Sequence, residues 1–105
     1  LSRSDRPDGI FCTTDLLACG VMDTARWRLG IRVPDQLSLI GFDDLPGSPY
    51  TTPPLTTIRQ PYAQIAESAI DCLHTRLADP ERGASTIILE PSLDIRVSTA
   101  PPPAR

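Results

Sequence analysis

The alternation of short apolar runs with an amphipathic segment is the feature that most constrains the fold of this chain. Gly9–Cys12 and Leu37–Phe42 are apolar runs of strand length, and polar residues follow each of them. Between them, Asp15–Leu29 has apolar residues at helical spacing and stops at Gly30, which suits a left-handed C-terminal cap. Apolar strands next to amphipathic helices are typical of a parallel sheet covered on both faces. The pattern therefore predicts an α/β fold, a Rossmann-like parallel sheet with flanking helices.

The second half of the chain continues the alternation. Leu55–Arg59 is predicted to be extended, Pro61 suits the first turn of a helix, and short strands are predicted at Thr86–Leu89 and Leu93–Val97. The apolar stripe of that helix consists of Tyr62, Ile65, Ala66, Ala69, Ile70, Leu73 and Leu77. The residues that we expect to pack in the core include Phe11, Leu17, Val21, Leu39, Ile40, Ile65, Ala69, Ile70 and Leu73.

Composition limits the partners and sites of the chain. Its 105 residues are the size of one domain. The chain has a net charge of −3 and no lysine, so we do not expect it to bind DNA by itself. No apolar run approaches the about 20 residues of a membrane helix, so we expect no membrane partner. Three cysteines and one histidine argue against a zinc site, so we expect no metal and no cofactor. Cys12, Cys19 and Cys72 are expected to be buried, unpaired thiols, which fits a reducing cytoplasm.

Polar side chains follow the predicted strands where ligands bind in parallel sheets, outside the carboxyl ends. Thr14 and Asp15 follow the first strand, Asp43 and Asp44 the second, and Gln60 the third. Their oxygens are good acceptors for hydroxyl or ring N–H groups. Equally, Thr14 or Asp15 can simply cap a helix, and an aspartate after a strand can make a turn. The spacing alone leaves both interpretations open.

Three stretches at a defined separation carry a resemblance to a known family. They are Leu-Gly-Ile-Arg-Val-Pro-Asp at 29–35, Gly-Phe-Asp-Asp at 41–44 and Leu-Thr-Thr-Ile-Arg-Gln-Pro at 55–61, with Ile-Phe-Cys at 10–12 and Asp-Leu-Leu-Ala at 15–18 upstream. Together they resemble the LacI/GalR family of transcriptional repressors over about residues 7–97.

The resemblance implies the C-terminal portion of an effector-binding domain with a partial type I periplasmic-binding-protein-like fold. Members of the family are cytoplasmic homodimers that bind a sugar or nucleoside-like effector between two lobes and operator DNA through an N-terminal headpiece, here outside the chain. Residues 9–59 and 92–99 then belong to the C-terminal lobe, and residues 60–91 are a crossover segment to the N-terminal lobe. Residues 100–105, rich in proline, are expected to be a disordered tail.

The resemblance also implies roles for individual residues. Asp43 corresponds to the aspartate that holds ligand hydroxyls or ring nitrogens, Gln60 to a polar residue that reaches the same ligand, and Tyr62 to a position lining the apolar side of the pocket. Asp15 matches an aspartate at the start of the first helix, more a cap than a ligand contact. Thr14 stands where the family commonly has asparagine. The threonine hydroxyl offers one hydrogen-bond donor where the asparagine amide offers two, so the hydroxyl pattern of the ligand is expected to differ.

The stretch between Gly20 and Gly30 is one residue longer than the usual family spacing. An extra residue in a helix rotates all later positions by about 100°. We expect the strain to be absorbed near Trp27 and Arg28 as a wider last turn.

Family members dimerise through the outer face of the first helix and the loop after Asp-Asp. The apolar residues expected at this interface are Val21, Met22, Leu45, Pro46 and Tyr50. Trp27 lies in the same region, and the alternative is that it covers the domain's own core.

Two other functions compete with that of a repressor. A solute-binding protein of a transport system shares the fold, although the Thr-Thr-Ile-Arg-Gln-Pro stretch favours the repressor. An enzyme is not expected, because the sequence offers no activated nucleophile and no catalytic residue. Asp43 and Asp44 are neighbours after a strand, so their side chains should point apart, one toward a ligand and the other toward the structure.

Overall fold

A computed structural model describes residues 1–102 and contains four strands and two α-helices. In chain order they are β1 (Gly9–Phe11), α1 (Asp15–Asp23), β2 (Ser38–Asp43), β3 (Thr56–Arg59), α2 (Tyr62–Ala78) and β4 (Ser92–Asp94). A π-helical turn (Thr24–Arg28) follows α1, and a 3-10 turn (Ser48–Tyr50) lies in the loop after β2.

The four strands form one sheet in the order β1-β2-β3-β4. Strands β1 and β2 are parallel, with Ile10 opposite Leu39, and β2 and β3 are parallel, with Gly41 opposite Thr57. The predicted α/β fold is confirmed, with β1, β2 and β3 parallel as expected and β2 an inner strand.

The chain divides into two compact units. The first unit comprises Leu1–Arg59 together with the chain from Leu93, and the second unit comprises Gln60–Ser92. The assignment of residues 9–59, 60–91 and 92–99 to particular lobes stays a prediction.

Helix α1 buries a different face from the predicted one. Thr14 is its N-cap, with Oγ1 accepting a hydrogen bond from Leu17 N at 3.2 Å. Ala18 and Met22 are buried, whereas Leu17 is 57% exposed and Val21 is half-buried. The prediction that Leu17 packs in the core is wrong, because the buried series begins at Asp15 and is displaced by about one residue, or 100°.

The end of this helical segment is a wide turn, as the extra residue predicted. Leu29 N donates to Thr24 O at 3.2 Å, five residues back, and Gly30 stops the helix at φ +64°. Trp27 in this turn is 77% exposed. The alternative that Trp27 covers the domain's own core is therefore wrong.

The core of the first unit lies between α1 and one face of the sheet. Its two clusters consist of Cys12, Ala18, Met22, Leu39 and Leu55, and of Ala25, Ile31 and Leu37. Leu39 is buried as predicted, and Ile40 is half-buried. Phe11 is 55% exposed, so its placement in the core was wrong. Ile10, its neighbour in β1, packs on the core instead, because successive side chains of a strand point to opposite faces.

No residue of the second unit is buried. The predicted core residues Ile65, Ala69, Ile70 and Leu73 are all exposed, because this unit holds a single helix and an irregular segment, too little to cover an apolar stripe. Thr86–Leu89 is not a strand, since no strand of the described chain pairs with it.

Two further expectations concern the cysteines and the tail. Cys12 is buried as predicted, and Cys19 is half-buried. Cys72 is exposed on helix α2, so the prediction that it is buried was wrong.

The first residue of the predicted tail is bound to the sheet: Ala100 N donates a hydrogen bond to Ser38 Oγ at 3.1 Å, and Ala100 O accepts one from Ser38 Oγ at 3.0 Å. Residues 103–105 lie outside the described residues.

The last strand is shorter than expected. Strand β4 ends at Asp94 instead of Val97, because the amides of Val97 and Ser98 both donate to Pro54 O at 3.0 Å, outside a regular ladder.

Among residues 1–102, neither helix combines the length and apolarity that crossing a bilayer requires.

Candidate functional site

Polar residues meet at the carboxyl edge of the sheet in the first unit. Because β1, β2 and β3 run parallel, their carboxyl ends lie along one edge. Thr13 and Thr14 lie just beyond β1, Asp43 ends β2 and Asp44 follows it, and Arg59 ends β3. This is the edge at which parallel sheets bind ligands.

The backbone is strained where β2 ends and the following turn begins. Asp43 has φ +115° and Asp44 has φ +56°, a region that side chains other than glycine rarely occupy. Such a residue costs on the order of 1–3 kcal/mol and persists only where its surroundings hold it. Strain of this kind clusters at functional sites. We call these two residues the Asp43–Asp44 corner.

The buried side chain of Asp15 binds the loop that follows the corner. Its side chain is 1% exposed, and Oδ2 accepts hydrogen bonds from Leu45 N at 2.9 Å and from Ser48 Oγ. Its Oδ1 accepts a hydrogen bond from Thr57 Oγ1. The expectation that Asp15 is a cap was wrong: Thr14 has that role, and Asp15 joins α1 to β3 and to the loop after the corner.

Gly41 makes room for this buried carboxylate. A methyl group at Gly41 would overlap Asp15 Oδ1 and lie 3.0 Å from Leu55 Cδ2. The glycine of the Gly-Phe-Asp-Asp stretch therefore serves close packing between the sheet and α1.

A four-residue ion-pair cluster, formed by Asp44, Arg59, Asp94 and Arg96, fixes the other side of the corner. Asp44 Oδ1 lies 2.6 Å from Arg96 Nη2, and Asp44 Oδ2 lies 2.8 Å from Arg59 Nε. Asp94 bonds both arginines, at 3.2 Å from Arg96 Nη2. The side chain of Asp44 is 11% exposed, so these contacts are partly protected from solvent screening.

The charges of this cluster shift the pKa values of Asp44 and Arg59. Burial raises the pKa of the Asp44 carboxyl, but hydrogen bonds and positive charge from Arg96 and Arg59 outweigh burial, and the pKa lies below its ordinary value. The hydrogen bond to Asp44 and the charge of Asp94 raise the pKa of Arg59. Asp44 is thus an ionised structural carboxylate, one of the two different roles expected of these neighbours.

The five predicted ligand-binding residues fall into two groups. Thr14, Asp15 and Asp43 lie in the first unit at the carboxyl edge, where Thr14 and Asp43 are half-buried and Asp15 is buried. Gln60 and Tyr62 lie in the second unit, and Tyr62 is 51% exposed. Direct contact of any of the five with a ligand stays a prediction.

Sequence reasoning missed several residues at this edge. Phe11, Thr13 and Phe42 line a shallow hollow of about 240 Å³, with the two rings edge to face at 6.5 Å between centroids. The two ring positions come from alternation along β1 and β2, which points one aromatic side chain of each strand away from α1. Arg59 was also missed: its partners Asp44 and Asp94 are 15 and 35 positions away in the sequence, so no local pattern indicates the ion-pair cluster.

The five residues predicted at the dimer interface differ in exposure. Tyr50 is 86% exposed, Leu45 is 41% exposed and Pro46 is exposed, so these three are accessible to a partner. Val21 is half-buried. Met22 is 2% exposed and packs between α1 and the sheet, so its assignment to the interface was wrong.

Acidic, histidine and cysteine side chains are dispersed through residues 1–102. In that part of the chain, no group of three or more of them is placed to hold a metal ion.

The chain is similar to known regulators in sequence. The profile of the periplasmic binding protein-like domain family matches residues 1–99. The chain is 37% identical over 98 residues to the ribose operon repressor of Haemophilus influenzae and 39% identical over 98 residues to the HTH-type transcriptional repressor PurR of Photobacterium profundum. Each comparison covers 93% of this chain and 29% of the relative, so the chain spans less than a third of these relatives.

Solved structures agree in fold. A LacI-type transcription regulator from Bifidobacterium animalis subsp. lactis matches with TM-score 0.81 and 36% identity, over 90% of this chain and 34% of that one. A LacI family regulator from Enterococcus faecium with bound ribose matches with TM-score 0.81 and 31% identity, over 92% and 36%. A third, from Lactobacillus casei with bound sucrose, matches with TM-score 0.77 and 35% identity, over 94% and 36%.

Proposed function

Because the chain belongs to the periplasmic binding protein-like domain family, with LacI-type regulators as relatives, we propose that it is part of the effector-sensing domain of a transcriptional repressor. The observation that carries the proposal is the Asp43–Asp44 corner, a strained turn at the carboxyl edge of a parallel sheet, held by buried hydrogen bonds and ion pairs. Backbone strain of this kind clusters at ligand-binding and switch regions, which supports a functional role for the corner. The group oriented here is the Asp43 carboxylate.

A sugar is the effector class that the site chemistry favours. A carboxylate accepts hydrogen bonds from sugar hydroxyls, two at a time when they are adjacent on a ring. The similar structures hold ribose in one protein and sucrose in another, and one relative is a ribose operon repressor. Ribose is therefore the first sugar to test, and a nucleoside such as inosine represents the alternative class. Gln60, Tyr62 and Thr14 are proposed as further contacts.

The remaining properties follow from this assignment. A repressor acts on operator DNA, and here it would do so through residues outside this acidic chain, in the cytoplasm. The chain would have no catalytic role and no part in transport, since the relatives and neighbours named above are regulators or repressors. Leu45, Pro46 and Tyr50 would contribute to a homodimer that presents two DNA-binding segments to a symmetric operator.

Calorimetric titration of the intact protein with ribose, sucrose, glucose and inosine tests the effector class. We expect saturable binding of at least one sugar and a change in operator affinity when that sugar is present. Binding of inosine alone would reassign the effector to the nucleoside class, and sugar binding without any effect on DNA affinity would contradict the repressor assignment.

A further inference from the structure

The Asp43–Asp44 corner depends on groups that are distant in the sequence. Two consecutive residues other than glycine adopt positive φ there, so side chains around the corner must hold it in place. Asp44 is the point of attachment: one of its carboxylate oxygens bonds Arg96 and the other bonds Arg59.

Arg96 is the better fixed of the two arginines. Its side chain is 15% exposed, and Nη1 donates to Leu55 O at 2.9 Å while Nη2 donates to Asp44 Oδ1 at 2.6 Å and to Asp94 Oδ2 at 3.2 Å. A guanidinium is a planar fork, so several acceptors on one fork fix its orientation as well as its position. Asp44 is thereby tied to the backbone of the segment that enters β3.

Arg59 holds the second oxygen of Asp44 from a more exposed position. Its side chain is 54% exposed, and it also bonds Asp94 at the end of β4. Exposed ion pairs contribute less than buried ones because solvent screens them. Arg59 is therefore the weaker support.

We propose that Arg96, assisted by Arg59, is a positioning residue for effector recognition. Arg96 binds the Asp44 carboxylate, this fixes the backbone of the corner, and the fixed backbone sets the direction of the Asp43 side chain. Both oxygens of Asp44 are engaged by arginines, so Asp44 acts on the corner through these contacts. The inference rests on the proposed function, because it assigns Asp43 the contact with the effector.

The first arm of the test needs no effector. Amide hydrogen exchange is measured in the intact protein for wild type, Arg96→Gln, Arg96→Lys and Arg59→Gln, with Arg32→Gln as the matched control, since Arg32 forms an exposed pair with Asp35. In Arg96→Gln the amide of Leu45, which donates to Asp15, should exchange about tenfold faster. The amide of Cys12, which bonds Ile40 O at 2.8 Å in the sheet, should keep its wild-type rate.

The second arm measures ribose affinity by calorimetry, well below the melting temperature of each variant. Arg96→Gln should bind ribose about tenfold more weakly and Arg59→Gln about two- to threefold more weakly, because the Arg96 side chain is 15% exposed and that of Arg59 is 54% exposed and screened by solvent. Arg96→Lys should recover part of the loss, because it restores the charge without the fork. Arg32→Gln should match wild type.

The two arms separate the possible failures. Unchanged Leu45 exchange in Arg96→Gln overturns the inference whatever the affinity does. Equal acceleration at Cys12 also overturns it, because Arg96 would then stabilise the whole unit without positioning the corner. Faster Leu45 exchange with unchanged ribose affinity contradicts the link to recognition. If wild type itself binds no sugar, the proposed function fails and the role in recognition falls with it, while the exchange arm still decides whether Arg96 holds the corner.

Discussion

Replacing Asp15 by asparagine tests how much the buried carboxylate contributes to stability. Three donors converge on it: Leu45 N, Ser48 Oγ and Thr57 Oγ1. A hydrogen bond to a charged group contributes about 1.5–3 kcal/mol and a neutral one about 0.5–1.5 kcal/mol. Asparagine keeps an acceptor for two donors, and the Thr57 hydroxyl can turn to accept from the amide nitrogen.

Each of the three bonds therefore loses about 1 kcal/mol, so Asp15→Asn should lower the free energy of unfolding by about 3 kcal/mol. That is a large part of the about 5–15 kcal/mol by which domains are stable. Urea unfolding followed by circular dichroism measures the change. Fluorescence is a poor choice because the one tryptophan, Trp27, is already 77% exposed when folded.

Asp35→Asn is the matched control, because Asp35 pairs with Arg32 on the surface with 64% of its side chain exposed. It should change the free energy by less than about 0.5 kcal/mol. An Asp15→Asn variant as stable as this control would refute the reasoning. A more stable one would mean that the cost of burying the charge exceeds what its three bonds return.

Three further results are expected. Folding lowers the pKa of Asp44, so its ion pairs add stability that is complete above the ordinary aspartate pKa of about 3.9 and is lost as the pH falls through the lower folded value. Asp44→Asn should therefore reduce the loss of unfolding free energy that urea titrations show from about pH 5 downward. The same dependence of stability on pH as in wild type would count against this role. Met22→Ala should cost about 2–5 kcal/mol in the same assay without altering association, since Met22 lies in the core. Tyr50→Asp should leave stability within about 0.5 kcal/mol and shift a dimer toward monomer in light scattering, and a dimer that persists would remove Tyr50 from the interface.

The sequence predicted the sheet correctly because strand formation here depends on local patterns. The apolar runs around Ile10 and Leu39 are short, continuous and bounded by polar residues, which leaves few alternatives to buried parallel strands. The wide turn after α1 was also predictable, since an additional residue before Gly30 has to be accommodated within the helix.

The buried face of α1 was not predictable from hydrophobicity. A polar residue is assigned to the outer face by pattern, but Asp15 turns inward because three donors from other segments meet its carboxylate. This displaces the buried series from Leu17 to Ala18 and Met22. The ion pair of Asp44 with Arg96 joins residues 52 positions apart, and no local spacing signals such a contact.

The exposed apolar residues of α2 show a second limit of pattern-based prediction, since burial was predicted there and is not found. Ile65, Ile70 and Leu73 have the spacing of a packed helix face, yet all are exposed in the second unit. An amphipathic pattern predicts that a face can be buried, but not which segment covers it.

The affinity of Asp43→Asn for ribose tests the central proposal most directly. Asparagine has the shape of aspartate and tolerates positive φ, so the corner is expected to keep its conformation at φ +115°. Replacing a charged acceptor by a neutral one costs about 1 kcal/mol per hydrogen bond, so contacts with two sugar hydroxyls give about 2 kcal/mol, or roughly 30-fold in affinity. With Asp35→Asn as control and unfolding measured in parallel, calorimetry should show this loss for Asp43→Asn at near wild-type stability. Ribose affinity equal to that of wild type would contradict the role of Asp43 in binding the effector.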